Sequence, residues 1–133
     1  MKKLKITVIT FISLIAISTS CKKDADDQPG NPSNTSRTLR YEASGNFTGT
    51  LIASYTTATG GTANEQITIP FNKEVTYGAN VTAAIMALTG SGGVAGQKVT
   101  LVIKRGGVQV GTPTEFTAQT NGGFSSTAPV VVF

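Results

Sequence analysis

Apolar and polar residues alternate with a period of two through much of the chain beyond residue 37. Leu39, Tyr41 and Ala43 alternate with Thr38, Arg40 and Glu42. Ile67, Ile69 and Phe71 alternate with Gln66, Thr68 and Pro70, and Val99, Leu101 and Ile103 with Lys98, Thr100, Val102 and Lys104. Successive side chains of a strand point to opposite faces, so each run builds one apolar row on one face of a sheet. Thr, Val and Ile are abundant, as pleated surfaces favour. Turn signals cut the chain at short intervals: Gly45-Asn46, Gly60-Gly61, Gly78 to Asn80, Gly90 to Gly96, Gly106-Gly107 and Asn121 to Gly123. The pattern predicts strands near 38–44, 47–57, 64–70, 73–77, 81–88, 97–105, 108–117 and 124–132. Residues 37–133 are therefore expected to form an all-β fold, an antiparallel immunoglobulin-like β-sandwich of about seven or eight strands.

Three local features refine that expectation. Gly106-Gly107 can take the positive φ of a primed turn, so Lys104 to Val110 reads as a hairpin. Pro70 lacks a backbone donor and fits an edge strand or a kink between two strands. The C-terminal run Pro129 to Phe133 either closes the sandwich or offers an edge to a partner strand.

The first residues follow a different pattern. Met1 to Lys5 form a short positive segment, and Ile6 to Ile17 are apolar apart from Thr and Ser. A hydrocarbon core of ~30 Å takes roughly 20 apolar residues, so this run is too short to span one comfortably and suits the apolar region of a signal peptide. Small residues Ser18, Thr19 and Ser20 precede Cys21, the one cysteine of the chain. Residues 22–36, rich in Pro, Gly, Asn, Ser and Asp, read as a flexible linker with an r.m.s. reach of roughly 20 Å.

Composition removes several kinds of chemistry. The chain has no His and no Trp. Without His there is no Ser-His-Asp triad, Cys-His dyad or imidazole metal ligand. One Cys forms neither an internal disulfide nor a zinc cluster. Lys2, Lys3 and Lys5 lie in the leader, and setting these three of the 11 bases aside leaves 8 against 7 acids. A nucleic-acid module needs a concentrated basic stripe, so no nucleic-acid partner is expected. Lys104-Arg105 reads as a solvated basic pair at a hairpin end.

Candidate catalytic groups are sparse. Gly90-Ser91-Gly92-Gly93-Val94-Ala95 matches the letters of a dinucleotide fingerprint, but Gln97 to Ile103 just beyond it are strand-like where that motif requires a helix. Glu42, Glu65, Glu74 and Glu115 are the carboxylates of residues 37–133, and all three Asp (Asp24, Asp26 and Asp27) lie in the linker. The four Glu occupy polar strand or turn positions and read as a solvated face, which argues against glycosidase and calcium chemistry alike. Tyr41 and Phe71 fall in inward registers, whereas Tyr55 and Tyr77 lie near strand ends and could be exposed. No enzyme activity, cofactor or metal is expected, and the ligand is not legible.

Two resemblances add to this reading. Small residues before a lone Cys resemble a bacterial lipobox, in which the Cys is lipidated and becomes the mature N-terminus; Ser18 stands where that pattern prefers Leu. Cys21-Lys22-Lys23-Asp24 resembles the start of Bacteroidetes lipoproteins, and the Lys-then-acid run resembles their surface-export signal; the same charges also suit a hydrated spacer. The resemblance implies residues 1–20 as lipoprotein signal peptide, 21–36 as lipidated Cys21 and disordered linker, and 37–133 as the sandwich. It implies palmitate-type acylation at Cys21 and attachment to the cell outer membrane, on its periplasmic or surface face. Leu39 to Gly45, Ile67 to Val75, Ala83 to Ala87 and Val99 to Val108 together resemble the extracytoplasmic sandwich of the mycobacterial small membrane protein (MmpS) family. Phe71 replaces its Trp, the hairpin tip is Arg105-Gly106-Gly107, and the anchor is a lipid where that family has a transmembrane helix. The expected function is a non-enzymatic, lipid-anchored envelope sandwich that binds another envelope component or an extracellular ligand. That resemblance implies, alternatively, an accessory subunit of an envelope lipid or siderophore exporter; a small hydrolase is the remaining alternative.

Overall fold

A computed structural model describes residues 35–133. The leader, Cys21 and nearly all of the linker lie outside these residues. The chain forms β1 (Thr38–Gly45), β2 (Thr50–Thr56), β3 (Thr62–Ile67), β4 (Phe71–Thr76), β5 (Ala83–Ala84), β6 (Met86–Ser91), β7 (Lys98–Arg105), β8 (Val108–Gln109), β9 (Thr114–Thr117), β10 (Phe124–Thr127) and β11 (Val131–Val132). No helix occurs among the described residues.

One sheet runs β4-β1-β7, with β8 and β9 both paired to β7. The other runs β10-β6-β2-β3, and β11 pairs β5 as a short ribbon. Every ladder is antiparallel. The fold is thus an all-β antiparallel sandwich. The first strand is central in its sheet, flanked by β4 and β7.

The alternation read from the sequence sets the core. Leu39, Tyr41 and Ala43 of β1, Leu51, Ala53 and Tyr55 of β2, and Val99, Leu101 and Ile103 of β7 are buried, whereas their neighbours are not. The two inward faces meet in one cluster. Gly106 and Gly107 form the β7–β8 turn at φ 56° and 88°, as a type I′ hairpin requires.

Three predicted strands are each broken in two. The segment 108–117 divides into β8 and β9 at Val110 to Pro113, where Gly111 has φ 68° and Pro113 has no N–H to give the ladder. The segment 124–132 breaks at Ala128 to Val130, around Pro129. Opposite that break, 81–88 divides at Ile85, so that β6 pairs β2 and β10 while β5 pairs β11. The C-terminal run therefore closes the sandwich: Phe133 N–H donates to Thr82 O (2.9 Å), and Val131 is buried. Pro70 marks a kink between two strands; it comes after a cis Ile69–Pro70 peptide where the chain passes from β3 in one sheet to β4 in the other.

The strand β6 also runs further than expected, through Gly90 and Ser91, positions whose composition reads as loop. The reason is steric. Gly90 pairs with Leu51 and Phe124 and is buried, and a Cβ there would sit 2.5 Å from the Phe124 ring and 2.8 Å from the Phe47 ring. Those rings meet edge to face at 5.2 Å, and Phe116 stacks on Phe124 at 5.6 Å. The glycine is thus the strand position that admits the aromatic end of the core. Gly90→Ala is expected to destabilise the domain by about 1–3 kcal/mol, the ordinary cost of overpacking. A lower urea midpoint at unchanged m-value is the expected reading; an unchanged midpoint contradicts the steric account.

Candidate functional site

Besides the charged outward face of the β4-β1-β7 sheet, three places among the described residues gather polar groups, and they differ in what they can do. The first lies inside the sandwich. Tyr41 of β1 and Tyr77, just past β4, join hydroxyls at 2.7 Å, and the Tyr77 hydroxyl donates to the Thr56 carbonyl of β2 at 3.1 Å. Tyr55 and Tyr77, expected to be exposed near strand ends, are 7% and 3% exposed. Tyr55 shares the inward row of Leu51 and Ala53 on β2, Tyr77 continues the inward row of Val75, and the Tyr77 hydroxyl finds partners there. Tyr41 is fully buried, as its register predicts, and Phe71 packs against the core while remaining half-exposed.

Burial, reinforced by the hydroxyl of Tyr77, pushes the Tyr41 phenol far above its ordinary value, and burial raises Tyr77 as well. Both therefore stay protonated across the physiological range, with neither a phenolate nucleophile nor a general base on offer. At the open flank of this cluster, Lys73 of β4 donates to both carboxylate oxygens of Glu65 of β3 at 2.9 Å. The ammonium lies 4.8 Å from the Tyr55 ring centre. The Tyr55 phenol and the Glu65 carboxylate together raise the Lys73 pKa, so the amine is held as a cation. This ion pair joins the edge strands of the two sheets.

The second place is where the linker joins the sandwich. The Phe133 ring lies between two guanidinium groups, Arg37 at 4.5 Å and Arg105 at 5.0 Å, and against Tyr77 at 5.1 Å. Arg37 donates to the carbonyls of Tyr77 (3.2 Å), Gly78 (2.7 Å) and Val81. Arg105 donates to Ser36 O (2.6 Å) and Val132 O (3.1 Å). The expectation of a solvated Lys104-Arg105 pair is corrected here. Register opposite the buried Leu39 turns Arg105 inward, and only Lys104 faces out, where it pairs with Glu42 at 2.8 Å.

The outward face of the β4-β1-β7 sheet carries the other charges. Arg40 and Lys104 flank Glu42 (2.9 and 2.8 Å), and Lys98 pairs with Glu115 at 2.7 Å. Its hydrogen bond to Lys104, with the charges of Lys104 and Arg40, keeps the Glu42 carboxyl below its ordinary value. A cleft of about 480 Å³ on this face is lined by Arg40, Glu42, Phe71, Asn72 and Val102 among others. Among the described residues no group of three or more metal-ligating side chains comes together. The Gly90 to Ala95 fingerprint letters lie at the end of β6 and in the loop that leads into strand β7.

The third place was not visible in the sequence. The outward face of the β10-β6-β2-β3 sheet bears no charged side chain among the described residues. Its two central rows read Thr127, Ala87, Ser54, Asn64 and Ser125, Thr89, Ile52, Gln66 across the strands. Its one charged strand residue, Glu65, turns inward to Lys73. At one end this face runs into a cleft of about 430 Å³ bounded by Ser91, Gly92, Gln119, Asn121 and Ser125. Its walls are fastened to each other. Gly93 N–H donates to Gly122 O (2.9 Å), Gly96 N–H to Ala118 O (2.8 Å) and Ala118 N–H to Gln97 O (2.8 Å). Asn121 Oδ1 accepts from Gly123 N–H at 3.0 Å. Gln97 Oε1 accepts from Val94 N–H (2.9 Å) and from Thr48 N–H (3.1 Å), tying the β6–β7 loop to the β1–β2 loop.

This cleft lies beside the start of β7, whereas the linker joins beside its end. A strand of eight residues spans about 25 Å at ~3.3 Å per residue. Cleft and linker are thus at opposite ends of the sandwich. Cys21, the predicted lipidation site, lies outside the described residues. No protein-family model, curated protein or solved structure matches this chain.

The tyrosine cluster carries a pH dependence. A phenol whose pKa is raised by folding holds its proton more tightly in the folded chain than in the unfolded one. Its contribution is intact below the unfolded value of about 10 and is lost as pH rises through the folded value. Lys73, also raised, acts in the same direction. The urea midpoint is therefore expected to hold level up to about pH 10 and to fall above it. In Tyr41→Phe the fall becomes shallower. A native midpoint that stays level through pH 11 contradicts this assignment.

Proposed function

We propose that this protein is a lipid-anchored module of a bacterial envelope that works by binding and not by catalysis. Cys21 carries the acyl chains as the mature N-terminus, residues 22–36 are the tether, and the sandwich is the working part. Stable attachment takes more than one chain, because a single acyl chain binds a bilayer only marginally. The membrane is the outer membrane, and the sandwich stands on its periplasmic or surface side, where it meets another envelope component or an extracellular ligand.

The observation that carries this reading is the division of the sandwich between its two ends. The linker joins at Ser36 and Arg37, in the Phe133 clamp, and the preformed cleft opens about one strand length away. A tether at one end leaves the other free to reach a ligand. The state of the polar groups favours binding over chemistry. Glu42, Glu65 and Glu115 are each held against a basic side chain, and the buried phenols keep their protons.

Metabolic labelling with an alkyne analogue of palmitate tests the anchor. The native chain is expected to take the label and to fractionate with the outer membrane. Cys21→Ala is expected to lose the label entirely. Equal labelling of the two would remove the anchor from the account. Capture from crosslinked, detergent-solubilised envelopes tests the partner, and reproducible recovery of an inner-membrane exporter would replace the reading with that of an accessory transport subunit.

A further inference from the structure

We infer that the uncharged sheet face and its end cleft form one binding site for a neutral glycan, a polymer of uncharged sugars. The inference rests on the binding-module reading above and names its ligand class. The partition of charge is the first argument. Soluble surfaces carry roughly 25–35% charged residues, with both signs interspersed. The charged side chains of the described residues lie on the β4-β1-β7 sheet, at the linker end or, for Lys73 and Glu65, across the flank. The four-stranded β10-β6-β2-β3 face has none, and the loops around the cleft, Asn46 to Gly49, Ser91 to Gln97 and Ala118 to Gly123, have none either. A face without charge matches a ligand without charge. An anionic or cationic partner would find no opposite charge to offset the loss of its own hydration.

The second argument is the chemistry that remains. Hydroxyls and carboxamides each offer both a donor and an acceptor, which is what a sugar hydroxyl needs. In the cleft the Gln119 amide, the Asn121 Nδ2 and the Ser91 hydroxyl make no hydrogen bond with other described residues, so they are free for a ligand. Ser125 shares its hydroxyl with Thr89 at 3.2 Å, which continues the polar row onto the open sheet. Tyrosine stacking is not available, since Tyr41, Tyr55 and Tyr77 are all buried. The apolar faces of the sugar rings fall instead on Ile52, 42% exposed in the centre of the sheet, and on the glycine-lined part of the cleft.

The third argument is geometry. A cleft of about 430 Å³ lies within the size range of small-ligand sites and takes one or two sugar rings. The sheet rows lead away from it, so a longer chain can continue past the cleft across the strands. The walls are already hydrogen-bonded to each other, so little ordering is needed when a ligand arrives.

The test uses the purified full-length chain in a polyoxyethylene detergent, which contains no sugar. Isothermal titration is run against four neutral polysaccharides (dextran, laminarin, xyloglucan and mannan) and against alginate, which is anionic. At least one neutral polymer is expected to bind and alginate is not. Gln119→Ala combined with Ser91→Ala is expected to weaken binding at least tenfold, with an unchanged urea midpoint, because both side chains are exposed and neither holds another described residue. Lys104→Ala, on the opposite sheet, is expected to bind as the native chain does. Three results overturn the inference: no binding to any of the four neutral polymers, alginate bound as tightly as the best of them, or binding that the double variant leaves intact. A fourth is self-association on dilution calorimetry that the double variant abolishes, which would give the face to a second copy of this chain. An acylated protein that binds none of the neutral polymers loses only the ligand proposed here. A protein without acyl chains that still binds one loses only the anchor.

Discussion

The hydroxyl bond between Tyr41 and Tyr77, extended to the Thr56 carbonyl, is the contact on which the interior depends. A domain this rich in Thr, Ser and Gly has few large apolar side chains, and the tyrosines supply part of the missing volume. Filling a core with phenols brings polar atoms into it, and an unpaired buried hydroxyl costs about 1–3 kcal/mol. Here the buried side-chain polar atoms of the described residues all have partners. Because Tyr41 belongs to one sheet and Thr56 to the other, the same bonds that satisfy the hydroxyls also fix how the sheets face each other. The Lys73–Glu65 pair and the Phe133 clamp sit at the margins of this cluster.

The two ends of the sandwich are stabilised by different means. At the linker end, guanidinium groups cap backbone carbonyls and hold the ring of the last residue between them. At the cleft end, two phenylalanines pack over a strand glycine with a third stacked on one of them, and the loops above them are closed by backbone hydrogen bonds and by the Gln97 and Asn121 side chains. Charge is concentrated where the chain enters and along one sheet, leaving the other sheet and the far loops to hydroxyls and amides. A molecule divided this way presents its two broad faces to different chemistry.

Much of this was legible from residue order, and the misses have identifiable causes. Period two and the turn glycines located the eight main strands, and Gly106-Gly107 specified its own turn through the positive φ that both residues adopt. Strand breaks at Ile85 and near Pro129 were missed because they come with a change of pairing partner, which local composition does not encode, whereas the break near Pro113 keeps β7 as its partner and follows from Gly111 and Pro113 themselves. Gly90 read as loop because a glycine in a strand has no local justification; its reason is two phenylalanine rings brought from β10 and from the β1–β2 loop. Arg105 read as solvated although the period of Val99, Leu101 and Ile103 puts it on the inward row, because the groups that hold its guanidinium, Ser36, Val132 and Phe133, come from distant parts of the chain.

Sequence alone determined the β class and the exclusion of histidine chemistry, and it set the expected division into leader, cysteine, linker and domain, since each comes from composition or from neighbours along the chain. Tertiary structure alone decided the pairing of tyrosine hydroxyls across the sheets, the stacking of the final phenylalanine between two arginines, and the sorting of charge onto one face. Those depend on which strands lie side by side, and strand neighbours here come from distant parts of the chain. An uncharged surface assembled from β2, β3, β6 and β10 has no signature in any one of them: Glu65 stands in the middle of β3, and only the pleat that turns it toward Lys73 keeps it off that face.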